Sequence, residues 1–100
     1  MVQATTPTFI LTLPETVDLS QADNVYFTIQ QANVTITKTG EDLSVDGQTV
    51  SVYMTQDETL QFVPSTARLQ LNWTYANGAR ACSNIVSIDV GQNLLKEVVV

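Results

Sequence analysis

The chain has 100 residues, with four Lys or Arg against ten Asp or Glu and a formal net charge of −6. A chain of this length folds as one domain, because a second independent core does not fit. The four cations, Lys38, Arg68, Arg80 and Lys96, are spread along the sequence. Phosphate binding needs clustered cations, and net negative charge opposes binding to anionic membranes. The composition therefore argues against nucleic acid and membranes as partners.

The residue types of the common catalytic and metal sites are missing. The chain has no His, and Cys82 is its one cysteine. A Ser-His-Asp site, a Cys-His site and a Cys/His zinc site therefore cannot form within the chain. Glu41-Asp42 shares oxygen ligands with a calcium loop, but Leu43 and Val45 interrupt their alternation, so a turn is favoured. We expect no enzyme, metal or cofactor.

The sequence also bears on where the protein resides. Residues 1–7 are polar, with neither a basic start nor an apolar stretch, so no signal peptide is predicted. No run approaches the roughly 18 apolar residues that a membrane helix needs. The single Cys82 mildly favours a reducing compartment, since a secreted β-domain of this size often carries a disulfide. We therefore expect a soluble protein.

In the first half of the chain, apolar and polar residues alternate with the period of two that is typical of half-buried strands. Residues 1–6 are small and polar and are expected to form a flexible N-terminus. The alternation predicts strands over 8–13, 24–31 and 34–37. Pro14 ends the first strand, because proline cannot donate to a ladder. Residues 15–23 are predicted to form a loop.

The second half contains two predicted hairpins separated by a helical turn. Residues 43–54 fold about Asp46-Gly47, and residues 68–90 fold about Asn77-Gly78. Asn-Gly is predicted to form a type I′ turn, with positive φ at both residues. Between the hairpins, Thr55 and Glu58 have the spacing of a capping box, which predicts one short helical turn near 55–60.

These elements predict an all-β fold. Six to eight short strands separated by turns indicate an immunoglobulin-like antiparallel β-sandwich of about seven strands, with a small closed barrel as the alternative. Trp73 is predicted to anchor the core, and Cys82 to be a small buried residue within the same alternation. The residues expected to face the layer between the sheets are Phe9, Leu11, Val25, Phe27, Ile29, Ile36, Val50, Val52, Leu69, Leu71, Trp73, Val86 and Ile88.

Two features are candidates for contact with a partner. Tyr26 and Tyr53 are out of phase with the apolar residues of their strands, so we expect them on the surface. There they would form a protein contact with Ile10 and Ile85, or stack on a sugar. Residues 92–100 form either the last strand of their own domain or an arm that pairs with a neighbouring subunit. The large apolar side chains of this segment are Leu94, Leu95, Val98, Val99 and Val100.

The order of signals from residue 18 to residue 90 follows a known pattern. Its motifs are Asp18-Leu19-Ser20-Gln21-Ala22-Asp23, Val34-Thr35-Ile36-Thr37-Lys38, Asp46-Gly47, Val50-Ser51-Val52, Thr55-Gln56-Asp57-Glu58-Thr59, Asn77-Gly78 and Ile88-Asp89-Val90. This order resembles the small immunoglobulin-like β-sandwich domains of tailed bacteriophages and prophages, notably the N-terminal domain of baseplate upper proteins. The fibre-forming region that follows such domains in that family has no counterpart here, which suggests a small standalone protein.

The resemblance implies a function for the chain. It implies a non-enzymatic virion protein of the tail, baseplate or head decoration, made in the bacterial cytoplasm and then incorporated into the virion. Its partners would be other phage structural proteins, or a second copy bound through the C-terminal arm. Tyr26, Tyr53, Leu94, Leu95, Val98 and Val99 are the candidate interaction surface. A carbohydrate-binding or adhesin-like module is the alternative.

Overall fold

The computed structural model describes residues 1–95, so Val98 and Val99 lie outside the described residues. Two 3-10 turns, Leu19–Gln21 and Gly40–Asp42, fall in segments predicted as loop and turn. The other elements are, in chain order, β1 (Thr8–Thr12), β2 (Ala22–Gln31), β3 (Val34–Thr39), β4 (Leu43–Asp46), β5 (Thr49–Tyr53), α1 (Gln56–Thr59), β6 (Thr66–Tyr75), β7 (Arg80–Cys82) and β8 (Val86–Asp89).

The strands form two antiparallel sheets. One has the order β1-β5-β4, and the other has the order β3-β2-β6, with β7 and β8 paired in succession along β6. Variable-type immunoglobulin domains pair strands A-B-E-D in one sheet and C′-C-F-G in the other. Here β3-β2-β6-β7/β8 corresponds to C′-C-F-G, and β1-β5-β4 corresponds to B-E-D. The predicted sandwich is confirmed, and strand A has no counterpart among the strands of residues 1–95.

The core lies between the two sheets, where the alternation predicted it. Phe9 of β1 stacks on the fully buried Phe27 of β2, with ring centroids 5.9 Å apart, and so joins the sheets. Trp73 is buried as predicted, and its indole N–H donates to the Tyr75 hydroxyl at 2.9 Å. Of the residues predicted to face this layer, Val86 alone is exposed, at 47%.

The crossover between β5 and β6 contains the predicted helical turn. The Thr55 hydroxyl accepts a hydrogen bond from the Glu58 N–H, and the Glu58 carboxylate accepts one from the Thr55 N–H at 2.8 Å. This reciprocal pair satisfies two backbone donors that would otherwise lack partners at the start of α1. Thr59 is fully buried, and its hydroxyl donates to the Thr5 carbonyl at 2.8 Å. Phe62 follows and is buried in the core.

The turn at Asn77-Gly78 differs from the prediction. The Tyr75 N–H donates to the Ala79 carbonyl at 2.9 Å, so the loop holds three residues rather than two. Of its residues, Gly78 alone has a positive φ, at 87°. Asn77 instead accepts a hydrogen bond from the Ala79 N–H through its side chain. A three-residue loop needs a single left-handed residue, so the predicted type I′ turn is wrong.

A bulge at Ser83 separates β7 from β8. The Ser83 N–H donates to the Leu71 carbonyl, and its hydroxyl oxygen accepts from the Leu71 N–H, both at 2.9 Å. The register along β6 shifts by one residue across this point. Ala81 therefore packs against the core, and Cys82 is exposed. The prediction that Cys82 is buried is wrong, because the alternation does not continue unbroken through the second arm of the hairpin.

Candidate functional site

An apolar groove of about 830 Å³ runs along the side of the sandwich, between β1 and the edge formed by β7 and β8. In the described part of the chain, no charged residue lines this groove. Clefts of this size are typical of ligand and peptide sites. The apolar side chains that line its two walls include Phe9, Leu11 and Leu13 on one side and Ala81, Val86 and Ile88 on the other.

Within residues 1–95 no strand covers this groove, and it is therefore open. In the immunoglobulin pattern strand A stands next to strand B, which here is β1. Without such a strand, Phe9 and Leu11 are half-buried, although both face the layer between the sheets. Val86 pairs with the buried Leu69 on the same face and is nevertheless 47% exposed. Val86 thus faces inward, as the sequence predicted, and is exposed because no strand of residues 1–95 packs over it.

The backbone of β1 presents a row of unpaired groups on its open side. The Leu13 N–H donates to the Gln48 carbonyl at 2.8 Å, and the Met54 N–H donates to the Pro7 carbonyl at 3.0 Å. Hydrogen-bonded pairs alternate along an antiparallel ladder. The odd-numbered residues of β1 therefore bond to β5, and residues 8, 10 and 12 point the other way. Within residues 1–95, β5 is the only strand that pairs with β1.

Within residues 1–95, the edge of β8 is covered only at one end of the groove. The Gly91 N–H donates to the Met1 carbonyl at 2.7 Å, and the Met1 nitrogen donates to the Asp89 carbonyl at 3.0 Å. Val2 and Gly91 form a parallel bridge. These bonds lie on the side of β8 that faces away from β6. Residues 1–3 therefore pair with the end of this edge, and the rest of the groove stays open.

Hydrogen bonds of Gln3 hold residues 1–3 against the end of β8. Its side chain is buried, and its amide nitrogen donates to the Phe62 carbonyl at 2.6 Å. Asn93 donates its backbone N–H to the Gln3 side-chain oxygen at 3.3 Å and its side-chain amide to the Gln3 carbonyl at 3.0 Å. Residues 1–3, expected to belong to a flexible N-terminus, are thus bonded on both sides. After Asn93, the Leu95 N–H donates to the Asn93 side-chain oxygen at 3.1 Å, and Leu94 is 91% exposed.

The β1 edge lacks the features that usually protect edge strands. Such strands are commonly interrupted by charged residues, proline or bulges, which discourage pairing with another chain. β1 has the sequence Thr-Phe-Ile-Leu-Thr, with no charge and no proline, and Ile10 at its centre is 69% exposed. The opposite edge carries Arg80 and the bulge at Ser83. Of the two edges, β1 is therefore the better suited to accept a further strand.

The two candidate tyrosines are not brought together. Tyr26 lies on the outer face of the five-stranded sheet, since it pairs with Thr39 and neighbours the buried Phe27. Tyr53 is 52% exposed on the outer face of the three-stranded sheet. The two rings therefore lie on opposite sides of the sandwich, and neither lines the groove. Tyr53 does share its face with Ile10, which is its diagonal neighbour across β1 and β5.

The perturbed carboxylates of the described residues lie away from the groove. The Lys38 ammonium and the Glu58 carboxylate are 2.7 Å apart and join β3 to α1. Burial alone would raise the pKa of Glu58, but hydrogen bonds from Lys38 and Thr55 outweigh it and lower that pKa. Hydrogen bonds from Ser20 lower the pKa of Asp18. Within residues 1–95 no three His, Cys, Asp or Glu residues cluster as metal ligands would. These ionised groups stabilise turns.

Comparison with models of known protein families gives no match, and comparison with characterised proteins gives none either. No helix in residues 1–95 combines the length and the apolar character needed to cross a membrane. The apolar groove and the strand edges that border it form the candidate functional site of the described residues. Sequence reasoning did not find this site, although the uncharged run of residues 8–12 is a signal of an unprotected edge.

Proposed function

We propose that the chain is a non-enzymatic structural protein of a tailed phage or prophage, a component of the tail, the baseplate or the head decoration. It acts through protein–protein contacts. The observation that carries this proposal is the apolar groove between β1 and β8, which is bordered by unpaired backbone groups. Such an edge binds an extended segment, because main-chain hydrogen bonds provide affinity and pockets select alternate side chains. The resemblance of residues 18–90 to phage sandwich domains supplies the virion context.

The properties of the surface support a contact protein over a sugar-binding module. Sugar recognition by stacking needs exposed aromatic rings that form one platform, whereas Tyr26 and Tyr53 lie on opposite sides of the sandwich. Among residues 1–95, the groove is lined mainly by apolar side chains, with Asn84 as the one amide and no carboxylate. Its two aromatic rings, Phe9 and Trp73, are half-buried and buried, so they do not form an exposed stacking platform. An apolar cleft between strand edges matches the chemistry of a polypeptide segment better than that of a carbohydrate.

Purified particles provide the test. Virions of the phage, or of the induced prophage, that encodes this chain are isolated on a density gradient, washed in high salt and quantified by mass spectrometry. We expect the chain at a fixed copy number per particle, retained after washing because salt does not weaken an apolar contact. A loosely adsorbed cytoplasmic protein is the control and should be removed. Loss of the chain from washed particles that keep their capsid protein contradicts the proposal.

A further inference from the structure

Residues 1–95 contain an apolar groove that no strand of this range covers, and they end in two exposed leucines. Leu94 is 91% exposed and Leu95 is 51% exposed, so two adjacent leucines leave the sandwich unburied. The residues that follow, 96–100, are Lys-Glu-Val-Val-Val. Valine favours extended strands, because its branched side chain packs well on a pleated surface. The two features therefore complement each other in chemistry.

We propose that residues 94–100 of one copy add as a strand to the open edge of β1 in a second copy, antiparallel to β1, and insert Val98 and Val100 into the groove. The inference rests on the proposed role in protein–protein contact and names the partner as a second copy of this chain. Residues 1–3 already run in this direction along the end of β8, before the chain turns at Ala4 toward β1. The added strand would thus take the place of strand A.

Charge decides which side chains of the segment face the groove. Alternate residues of a strand lie on opposite faces, so Val98 and Val100 share one face and Val99 shares the other with Glu97. The groove lining is uncharged, and burial of an unpaired charge is strongly unfavourable. In the proposed register Val98 and Val100 would lie in the groove. Lys96, on the same face, would lie at its end, where its long side chain would reach solvent.

The geometry favours a second copy over the chain's own groove. β8 lines the groove at Val86 and Ile88 and leads the chain to the end of the groove at Gly91, after which Asn93 is held beside Gln3. To reach its own β1, the segment would have to reverse within the few residues that follow, next to an end already occupied by residues 1–3. A second copy meets no such constraint. Each copy then donates one segment and accepts another, so the assembly is either a closed dimer that exchanges both segments or a larger head-to-tail ring or open chain.

Self-association is measured by light scattering during size-exclusion chromatography and by sedimentation velocity, over a hundredfold range of protein concentration. Val98→Asp charges the inserted face, and Val99→Asp places the same charge on the other face of the segment. Val86→Lys charges the groove, and Val45→Lys is its control on the far edge strand, β4, at a similar exposure of 42% against 47%. We expect Val98→Asp and Val86→Lys to weaken association by at least roughly tenfold, and both controls to change it by less than about threefold.

Mixing the two defective variants tests the head-to-tail contact itself. Val98→Asp keeps an intact groove and Val86→Lys keeps an intact segment, so the mixture should form a one-to-one dimer of about twice 10.9 kDa and nothing larger. Urea midpoints establish that each variant is folded. A wild-type chain that is monomeric throughout, or assembly that both variants leave intact, overturns the inference. If the chain is monomeric and both variants lower its free energy of unfolding equally, the segment lies in the groove of its own chain. This result also overturns the inference.

The remaining outcomes separate this inference from the proposed function. A monomeric chain that co-purifies with an apolar small molecule, detected by native mass spectrometry, identifies the groove as a ligand site and overturns the strand contact. A monomeric chain found in washed particles at fixed copy number overturns the self-association alone. A chain that assembles through Val98 and Val86 but is absent from particles upholds the strand contact and overturns the virion role.

Discussion

Gln31 offers a quantitative test of how the crossover between the sheets is held. It is the last residue of β2, and its side chain is buried. Its amide nitrogen donates to the Val63 carbonyl at 2.9 Å and to the Ser65 carbonyl at 3.2 Å, and its oxygen accepts from the Val63 N–H at 2.8 Å. Gln31→Ala removes all of these hydrogen bonds at once. The Val63 N–H and the carbonyls of Val63 and Ser65 then lose this partner and must bond to water instead.

The expected cost follows from those groups. A buried donor or acceptor left without a partner costs about 1–3 kcal/mol, and the carbonyls lie near the surface, where water replaces part of the loss. We therefore expect Gln31→Ala to lower the free energy of unfolding by about 2–4 kcal/mol, out of a typical total of roughly 5–15 kcal/mol. The adjacent Gln30 is exposed, and its side-chain oxygen accepts a hydrogen bond from the Arg68 guanidinium at 3.1 Å. Gln30→Ala is the matched control, expected to cost less than about 0.5 kcal/mol.

Urea denaturation followed by the fluorescence of the single tryptophan, Trp73, measures both variants. With a slope of roughly 1–3 kcal/mol per molar urea for a small domain, Gln31→Ala should lower the midpoint by about 1 M or more. The measurement is made at low protein concentration, so that self-association does not contribute. Equal midpoints for Gln31→Ala and Gln30→Ala would refute the reasoning that these bonds fix the crossover.

Three further predictions concern other parts of the fold. The folded-state pKa of Glu58 lies below its unfolded value, so the stability that Glu58 contributes is full above the unfolded pKa and is lost as pH falls through the folded pKa. Glu58→Gln should therefore lower the urea midpoint at neutral pH. The difference in midpoint between the variant and wild type should become smaller at about pH 3. Gly78→Ala should cost about 1 kcal/mol, because its φ of 87° disfavours a side chain, whereas Ala76→Gly in the same loop should not show this penalty; thermal unfolding compares them. Cys82→Ser should leave the melting temperature within about 2 °C of wild type, because the thiol is exposed, and a larger drop would contradict the bulged register.

The sequence predicted the strands and most of the core, because a period of two follows from the pleat of a strand and needs no knowledge of neighbours. Phe27, Ile29 and Leu71 are buried for that reason. Cys82 was misplaced because the Ser83 bulge shifts the phase by one residue. That shift depends on hydrogen bonds to Leu71, twelve residues away, which no local pattern records.

The buried polar groups and the candidate site could not be predicted from the sequence, because they too depend on contacts between residues that are distant in the chain. Glutamine is usually a surface residue, yet Gln3 and Gln31 are buried. Their burial is possible because their side-chain amides donate hydrogen bonds to the carbonyls of Phe62 and Val63. The open groove likewise depends on which strands pair across the sandwich. Local alternation gives the number of strands and the inward side chains, but it does not say which edge lacks a neighbour.

The row of unpaired groups on β1 gives the most direct test of the account. Amide hydrogen exchange is measured residue by residue, in wild type and in Val98→Asp, at a concentration where wild type is assembled. We predict that the amides of residues 8, 10 and 12 exchange more slowly in wild type than in the variant. Those of Phe9 and Leu11, which already bond to β5, should change little. Equal exchange at residues 8, 10 and 12 in the two proteins, or protection gained equally by both sets, would contradict the addition of a strand to this edge.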